Sequence, residues 1–481
     1  MIRTDQSVRF LTIKDNPCVS IAVILFAPTL FVIDIFIVNL ALPTIQEFYH
    51  TSAAYVQLTV ASYLIGFTIF IITGSRAGDR YGRKKVYFLG IVSFTVASVL
   101  CGWAHSIQEL VFFRFLQGVS AAITMPQALT LLHLSFHDGK SRDKAYGLYG
   151  ITAGLAAIAG QLMGGYFISS HIIHDSWRLI FLINLPVGII AAFAAIFFLN
   201  ESKESSARKF DISGVVLLTL SLAGLIYPIT RGRELGFPLW SIGMLIGSLI
   251  LFFLFFKDQQ IKTRRQASPL INIQLFSIKN FNAGLLCVVF FFGVHSGFLL
   301  NCALFIQNGY GFSASISSYF FSAFGLGFVI ASIWSIRNAS RLGVRMLQAG
   351  CLVMIFSFIC QLFVFKQTAP ANGSIIALLF IYGIGNGLVL PSILNISLKG
   401  INPQLAGTAS GVYSTVQQLS SALGVSIIGG VFLALLQHAS DYLHAYFISL
   451  ICMIVYLLIV IVFLQKLGKL SKGNKNTGSL D

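Results

Sequence analysis

The chain has 481 residues, 56% of them hydrophobic and only 10% charged, against about 25% charged in a soluble domain. Its mean hydropathy of +0.83 exceeds what a soluble fold can bury, and its long apolar runs lack the alternation of a spanning β-barrel. The formal charge of +16 does not point to nucleic acid, because the basic residues sit in short loops between apolar runs rather than on one soluble face.

In chain order, Arg3, Arg9 and Lys14 precede an apolar run that is too long for a signal peptide and lacks a small-residue cleavage site, so it is expected to remain as the first span. Reading apolar runs between charged or turn-rich breaks predicts fourteen spans, near 17-42, 54-75, 86-104, 108-133, 146-169, 178-199, 212-229, 238-256, 281-306, 314-335, 346-365, 373-397, 405-436 and 443-465. With both termini inside, the cytoplasmic segments hold most of the Lys and Arg. The outside holds only Arg178, Arg231, Arg233 and Lys366, an asymmetry that supports an even number of spans. Seven cysteines, Cys18, Cys101, Cys287, Cys302, Cys351, Cys360 and Cys452, show no metal-ligand or redox spacing and read as small packing residues.

Within the first run, Asp34 alone of the sixteen acidic residues lies deep in apolar sequence, in Ile33-Asp34-Ile35-Phe36-Ile37-Val38-Asn39-Leu40-Ala41-Leu42-Pro43. A carboxylate is costly in lipid, so Asp34 faces either a cavity, as a proton carrier, or a hydrogen-bonding neighbour helix. The loop Gly74-Ser75-Arg76-Ala77-Gly78-Asp79-Arg80-Tyr81-Gly82-Arg83-Lys84-Lys85 follows the second run. There Gly74 permits close helix approach and Gly82 a tight turn, while Asp79 can pair with Arg83 and sit at a helix N-terminus of the opposing half, as a charged latch at the cytoplasmic rim; the other reading is a merely topogenic basic loop. On the fourth run, Arg114, Gln117 and Gly118 share one face by i, i+3, i+4 spacing. Arg114 needs a partner, either Asp34 or backbone carbonyls. The fifth carries Gly150, Gly154, Gly160, Gly164 and Gly165, a small face suited to packing or to sliding. His295, in the middle of the ninth run, either titrates or binds substrate, or is a satisfied polar residue between helices.

The chain repeats itself at a shift of about 261 to 265 residues. Arg76, Arg80 and Gly82 recur as Arg337, Arg341 and Gly343; Gly118 and Pro126 as Gly383 and Pro391; Ala145, Gly147, Tyr149, Gly160 and Gly165 as Ala409, Gly411, Tyr413, Gly424 and Gly429. Parallel repeats of six spans describe this pattern, with the runs at 212-229 and 238-256 inserted between the halves. Leu379 stands opposite Arg114, which confines the ionic machinery to the first half.

The 74-85 loop fits the G-x-x-x-D-R-x-G-R-[KR]-[KR] pattern of the major facilitator superfamily, and the other strings resemble its fourteen-span drug:proton antiporters. Asp34 sits in a string similar to their first-helix motif, Arg114-Gln117-Gly118 in their R-x-x-Q-G element, and the fifth-run glycines in their antiporter motif, where Gln161 replaces the usual proline. Ser176-Trp177-Arg178-Leu179-Ile180-Phe181-Leu182-Ile183-Asn184-Leu185-Pro186 resembles the sixth-helix entry. Gly407-Thr408-Ala409-Ser410-Gly411 with Gln417-Gln418 and Gly424 resembles the thirteenth helix.

The resemblance implies an all-α integral membrane protein of the major facilitator fold: a first six-helix bundle at 1-200, an inserted pair at 201-265, a second bundle at 266-465 and a cytoplasmic tail at 466-481. It implies a secondary transporter in the inner membrane with both termini cytoplasmic, not an enzyme. Proton-coupled efflux of amphipathic compounds leads, ahead of proton-coupled uptake or exchange of a specific metabolite; a non-transporting sensor or embedded enzyme is the reading from another class. Asp34 and Arg114 are the expected proton-coupling residues. Gly74, Asp79, Arg80, Gly82, Arg83, Gly160, Gly164 and Gly165 are expected to gate, and Gln117, Gln161, His295, Asn386 and Gln417 to contact substrate. No cofactor, metal or nucleic acid is expected; the proton gradient supplies energy, lipids and a small amphipathic molecule are the partners, a periplasmic adaptor is not readable, and the chain is expected to be a monomer.

Overall fold

The computed structural model describes residues 17–135, 139–170, 172, 174–203, 210–265, 267–366, 371–398, 403–439 and 441–477, with backbone alone at several helix ends. The expected cytoplasmic residues Arg3, Arg9, Lys14, Arg208, Lys209 and Lys399 lie outside them. All regular structure among the described residues is helical. In order these are α1 (Pro17–Phe48), α2 (Ala53–Tyr81), α3 (Arg83–Trp103), α4 (Ile107–Ser135), α5 (Gly139–Ser169), α6 (Leu179–Leu182), α7 (Asn184–Phe198), α8 (Ile212–Tyr227), α9 (Leu239–Arg264), α10 (Lys279–Leu304), α11 (Ala314–Leu342), α12 (Val344–Val364), α13 (Asn372–Ser397), α14 (Pro403–Ala439) and α15 (Tyr442–Thr477).

Among the described residues, fourteen helical stretches of 19 to 31 residues are long and apolar enough to cross a membrane. The sixth is composite: a 3-10 turn at Ser176–Arg178 runs into α6, and the helix breaks at Ile183 before α7. Pro186 accounts for that break, since it donates no N–H and its ring crowds the carbonyl four residues earlier. π-helical turns at Pro228–Gly232 and Phe305–Gly309 extend α8 and α10 at their C-terminal ends. The structure also moves some expected ends. α1 continues past Pro43 to Phe48, and α15 continues through Lys466 to Thr477, into the stretch expected as a tail.

The internal repeat reappears as repeated packing. A methyl group at Gly118 would lie 2.0 Å from the Tyr63 carbonyl oxygen, and one at Gly66 2.4 Å from that of Phe115, so α2 and α4 touch backbone to backbone. The same approach joins α11 to α13, where Gly383 faces the Phe324 carbonyl at 2.1 Å and Gly327 that of Phe380 at 2.3 Å. Gly82 and Gly343, at the turns into α3 and α12, both have positive φ, +106° and +53°.

Two seams join the helices α1–α7 to α10–α15: α2 lies along α14, and α5 along α11. On the second, Gly154 packs on Val329, Ile158 on Gly325 and Gly165 on Ser318. α8 and α9 form a hairpin against the outside of the α2–α14 seam, with Leu239, Leu249 and Phe253 turned away from the protein as lipid-facing side chains.

At its N-terminal end Asp211 caps α8, accepting from Gly214 N at 2.9 Å, and also accepts from Gln259 at 2.7 Å and from Leu270 N at 2.8 Å. At the opposite end of the hairpin the two basic residues expected in an exterior loop are bound. Arg231 donates to Ser52 Oγ at 3.1 Å. Arg233 donates to the Gly430 carbonyl of α14 and, at 3.3 Å, to Gln57 Oε1 of α2.

Candidate functional site

Asp34 lies midway along α1 and is wholly buried; Arg114 on α4 is 2% exposed. Arg114 Nη1 stands 2.6 Å from Asp34 Oδ2, the one ion pair among the described residues with both side chains below 3% exposed. Of the two partners open to Arg114 in the sequence, it takes both: Nε also donates to the Thr59 carbonyl at 3.3 Å. Its guanidinium sits 4.5 Å above the Tyr63 ring, which is oriented by the close α2–α4 approach at Gly118.

Gln117, one turn along the same face, closes the cluster. Its Nε2 donates to Asp34 Oδ1 at 2.8 Å and its Oε1 accepts from Arg114 at 2.6 Å. Gln117, expected to contact substrate, has both ends of its amide engaged with the ion pair in this structure.

Two further members carried no signal of their own in the sequence. Asn184, the first residue of α7, donates to Asp34 Oδ1 at 3.0 Å and to Ser98 Oγ of α3 at 2.8 Å, while Ser98 donates to the Phe181 carbonyl at 2.9 Å. The break at Ile183 places Asn184 at the start of a helix and aims it inward. The string around it was visible, but a single neutral amide does not stand out from the other polar residues of the spans.

Taking a carboxylate and a guanidinium out of water costs several kcal/mol each, repaid only by close pairing and saturation with hydrogen bonds. The arrangement therefore holds while both charges persist. Neutralising Asp34 would leave Arg114 as a buried cation without a counter-charge.

At the turn between α2 and α3, Asp79 pairs with Arg83 at 2.6 Å, and Arg80 lies over the rings of Tyr81 and Phe210, each at 5.6 Å. The described contacts hold Asp79 within its own half. Gly74 packs on Ala122 and Ile123 of α4. Gly82 faces Glu201, whose carboxylate accepts from Lys84 N and Lys85 N at 3.0 and 3.2 Å. On α5, Gly160 and Gly164 pack against Ile33 and Ile37 of α1, whereas Gly165 meets Ser318 of α11.

Among the substrate candidates, the structure brings two together: Asn386 Nδ2 and His295 Nδ1 are 2.9 Å apart, with Phe292 and Phe324 beside the imidazole. Gln161 is 1% exposed on the α5–α11 seam, and neither of its side-chain polar atoms has a hydrogen-bond partner. Gln417 is half-buried on α14 and joins neither group.

The Major Facilitator Superfamily family model matches residues 24–425. The chain is 32% identical over 421 residues to the probable actinorhodin transporter of Streptomyces coelicolor, covering 87% of this chain and 72% of that protein. It is 29% identical over 419 residues to the multidrug resistance protein Stp of Mycobacterium tuberculosis, covering 84% and 73%. A crystal structure of a bacterial homolog to the human lysosomal transporter Spinster, inward-facing and unoccupied, superposes with a TM-score of 0.68 at 16% identity, over 95% of this chain and 98% of that one.

Proposed function

The chain belongs to the major facilitator superfamily, and as such is a multi-pass membrane transporter rather than an enzyme; we propose that it exports amphipathic, lipophilic compounds from the cell by proton-coupled alternating access. The names of its relatives, a transporter of actinorhodin and a protein of multidrug resistance, support export of such compounds. The reading places it in a bacterial inner membrane with both termini cytoplasmic, working as a monomer on the proton gradient alone. It leaves the 201–265 insert outside the transport path.

The observation that carries the coupling is the buried Asp34–Arg114 pair. When Asp34 takes a proton on the outer, proton-rich side, Arg114 loses its counter-charge. The conformation that buries it becomes the costlier one, and the halves rock to hydrate or re-pair the guanidinium. Return of the proton to the cytoplasm restores the pair. A unit of charge moved across 100 mV is worth about 2.3 kcal/mol, enough for roughly fiftyfold accumulation. Gln161, the His295–Asn386 pair and Gln417 are the polar groups assigned to substrate.

The test is transport of a panel of lipophilic dyes in proteoliposomes under an imposed pH gradient. Asp34→Asn should abolish gradient-driven transport and spare downhill exchange. Full gradient-driven transport by that variant would place coupling elsewhere.

A further inference from the structure

Asn184 Oδ1 is buried and has no hydrogen-bond partner, although the Nδ2 of the same amide donates twice, to Asp34 and to Ser98. An orphaned acceptor in a low-dielectric site is costly, and here it belongs to a side chain touching the one deep carboxylate. The orientation itself follows from charge. With Asp34 ionised, turning the amide would set Oδ1 against a carboxylate oxygen.

We infer that Asn184 is a positioning residue that reads the protonation state of Asp34, its amide donating to the carboxylate and turning over to accept from the carboxyl once Asp34 is protonated. The inference rests on the coupling role given to Asp34 above.

Protonation from outside water forms an O–H on Asp34, most accessibly at Oδ1, since Oδ2 is held by Arg114. Two amides face Oδ1, and they are not equivalent. Gln117 could offer its carbonyl only by giving up the 2.6 Å bond from Arg114, the cation that has just lost its counter-charge. Asn184 Oδ1 has no bond to lose.

A half-turn of that amide brings Oδ1 to the Asp34 hydroxyl and to Ser98. Ser98 then donates to Asn184 instead of to the Phe181 carbonyl beside the break between α6 and α7. One proton on α1 is thereby registered on α3 and at the hinge of the sixth span. The other titratable groups that face this site are Arg114 on α4, Tyr63 on α2 and Cys101 on α3.

The experiment is a pH-difference infrared titration of the full-length reconstituted protein, with the Asp34 carboxyl band identified by its loss in Asp34→Asn. In Asn184→Leu the charged form loses an N–H donor, the stronger of the two bonds Asn184 makes in turn. The carboxyl C=O band should move to higher frequency as the O–H loses its acceptor. Asn184→Ser, which keeps one hydroxyl and perturbs packing less, should fall between. An unmoved carboxyl band in either folded variant overturns the role of Asn184 while leaving proton coupling standing. A wild-type protein with no Asp34 band between neutral and acid pH overturns the coupling reading itself, and this inference with it.

Discussion

Glu201 shows how one side chain finishes a helix that the local sequence leaves open. The first N–H groups of α3 have no intrahelical acceptor. Gly82 has φ of +106° and no side chain to offer a cap, so the carboxylate arrives from the loop after α7 and takes the N–H groups of Lys84 and Lys85. A carboxylate there also meets the positive end of the helix dipole. Glu201→Ala should therefore lower stability by about 1 kcal/mol, read as a lower midpoint of thermal unfolding in detergent, with Glu201→Gln intermediate. Nothing near residue 201 announces this role, because a Glu in a polar loop is what any cytoplasmic loop contains. Asp79–Arg83, by contrast, was legible as an i, i+4 pair inside a dense motif. Asp34 and Arg114 were legible for another reason: a charge deep in an apolar run has so few partners that the pairing nearly follows from its presence. Neutral groups such as Asn184 and Ser98 lack that property, and only packing reveals them.

Among the elements, the number of spans was readable because length and hydropathy must match a bilayer, whereas ends set by amphipathic turns were not. α1 outruns its apolar run because Ile45 still buries completely beyond Pro43. The α8–α9 hairpin, expected from a repeat shift too long for six helices, carries its own lock at the N-terminal end of α8. Burial alone would raise the Asp211 carboxyl, but the hydrogen bonds from Gln259 and Lys262, with the N–H groups of Gly214 and Leu270, outweigh it and hold the group below its ordinary value. A carboxyl lowered on folding contributes stability that is fully present above its unfolded value of about 3.9 and is lost as pH falls through the lower folded value. Asp211→Asn should thus loosen the first turn of α8 by about 2 kcal/mol at neutral pH, measured by amide hydrogen exchange. The gap between variant and parent should stay constant down to about pH 5 and narrow below the ordinary carboxylate range.

At the scale of the molecule, hydrogen bonds between the two halves lie at both ends of α2: near its C-terminus Arg76 donates to the Ser268 carbonyl at 3.1 Å and to that of Pro269, and others lie toward the opposite end. Gln57 Nε2 donates to the Val425 carbonyl at 3.1 Å across α2 and α14, and Ser315 Oγ to the Gly165 carbonyl at 3.4 Å across α11 and α5. The hairpin adds a clasp over the first of these: Arg233 bridges Gly430 and Gln57, the hydroxyls of Thr230 and Ser426 lie 3.1 Å apart, and Arg231 ties the same end to Ser52 with its guanidinium 5.0 Å from the Tyr55 ring. At this end the described bonds hold α2 to α14. To open outside, α2 must part from α14, and Arg233 can follow only one of them. A charge-assisted hydrogen bond present in one state and broken in the other biases the equilibrium by its whole net worth. Arg233→Ala should accordingly raise the outward-open population about tenfold, the equivalent of about 1.4 kcal/mol. Spin labels at the exposed His50 and His444, on the outer ends of the two halves, provide the measurement. The long-distance component of their separation should grow in Arg233→Ala and remain small in Lys366→Ala, a basic residue of the same face that was expected outside and takes no part in the clasp. Equal distributions in the parent and Arg233→Ala would show that the hairpin rides on one half without holding the other.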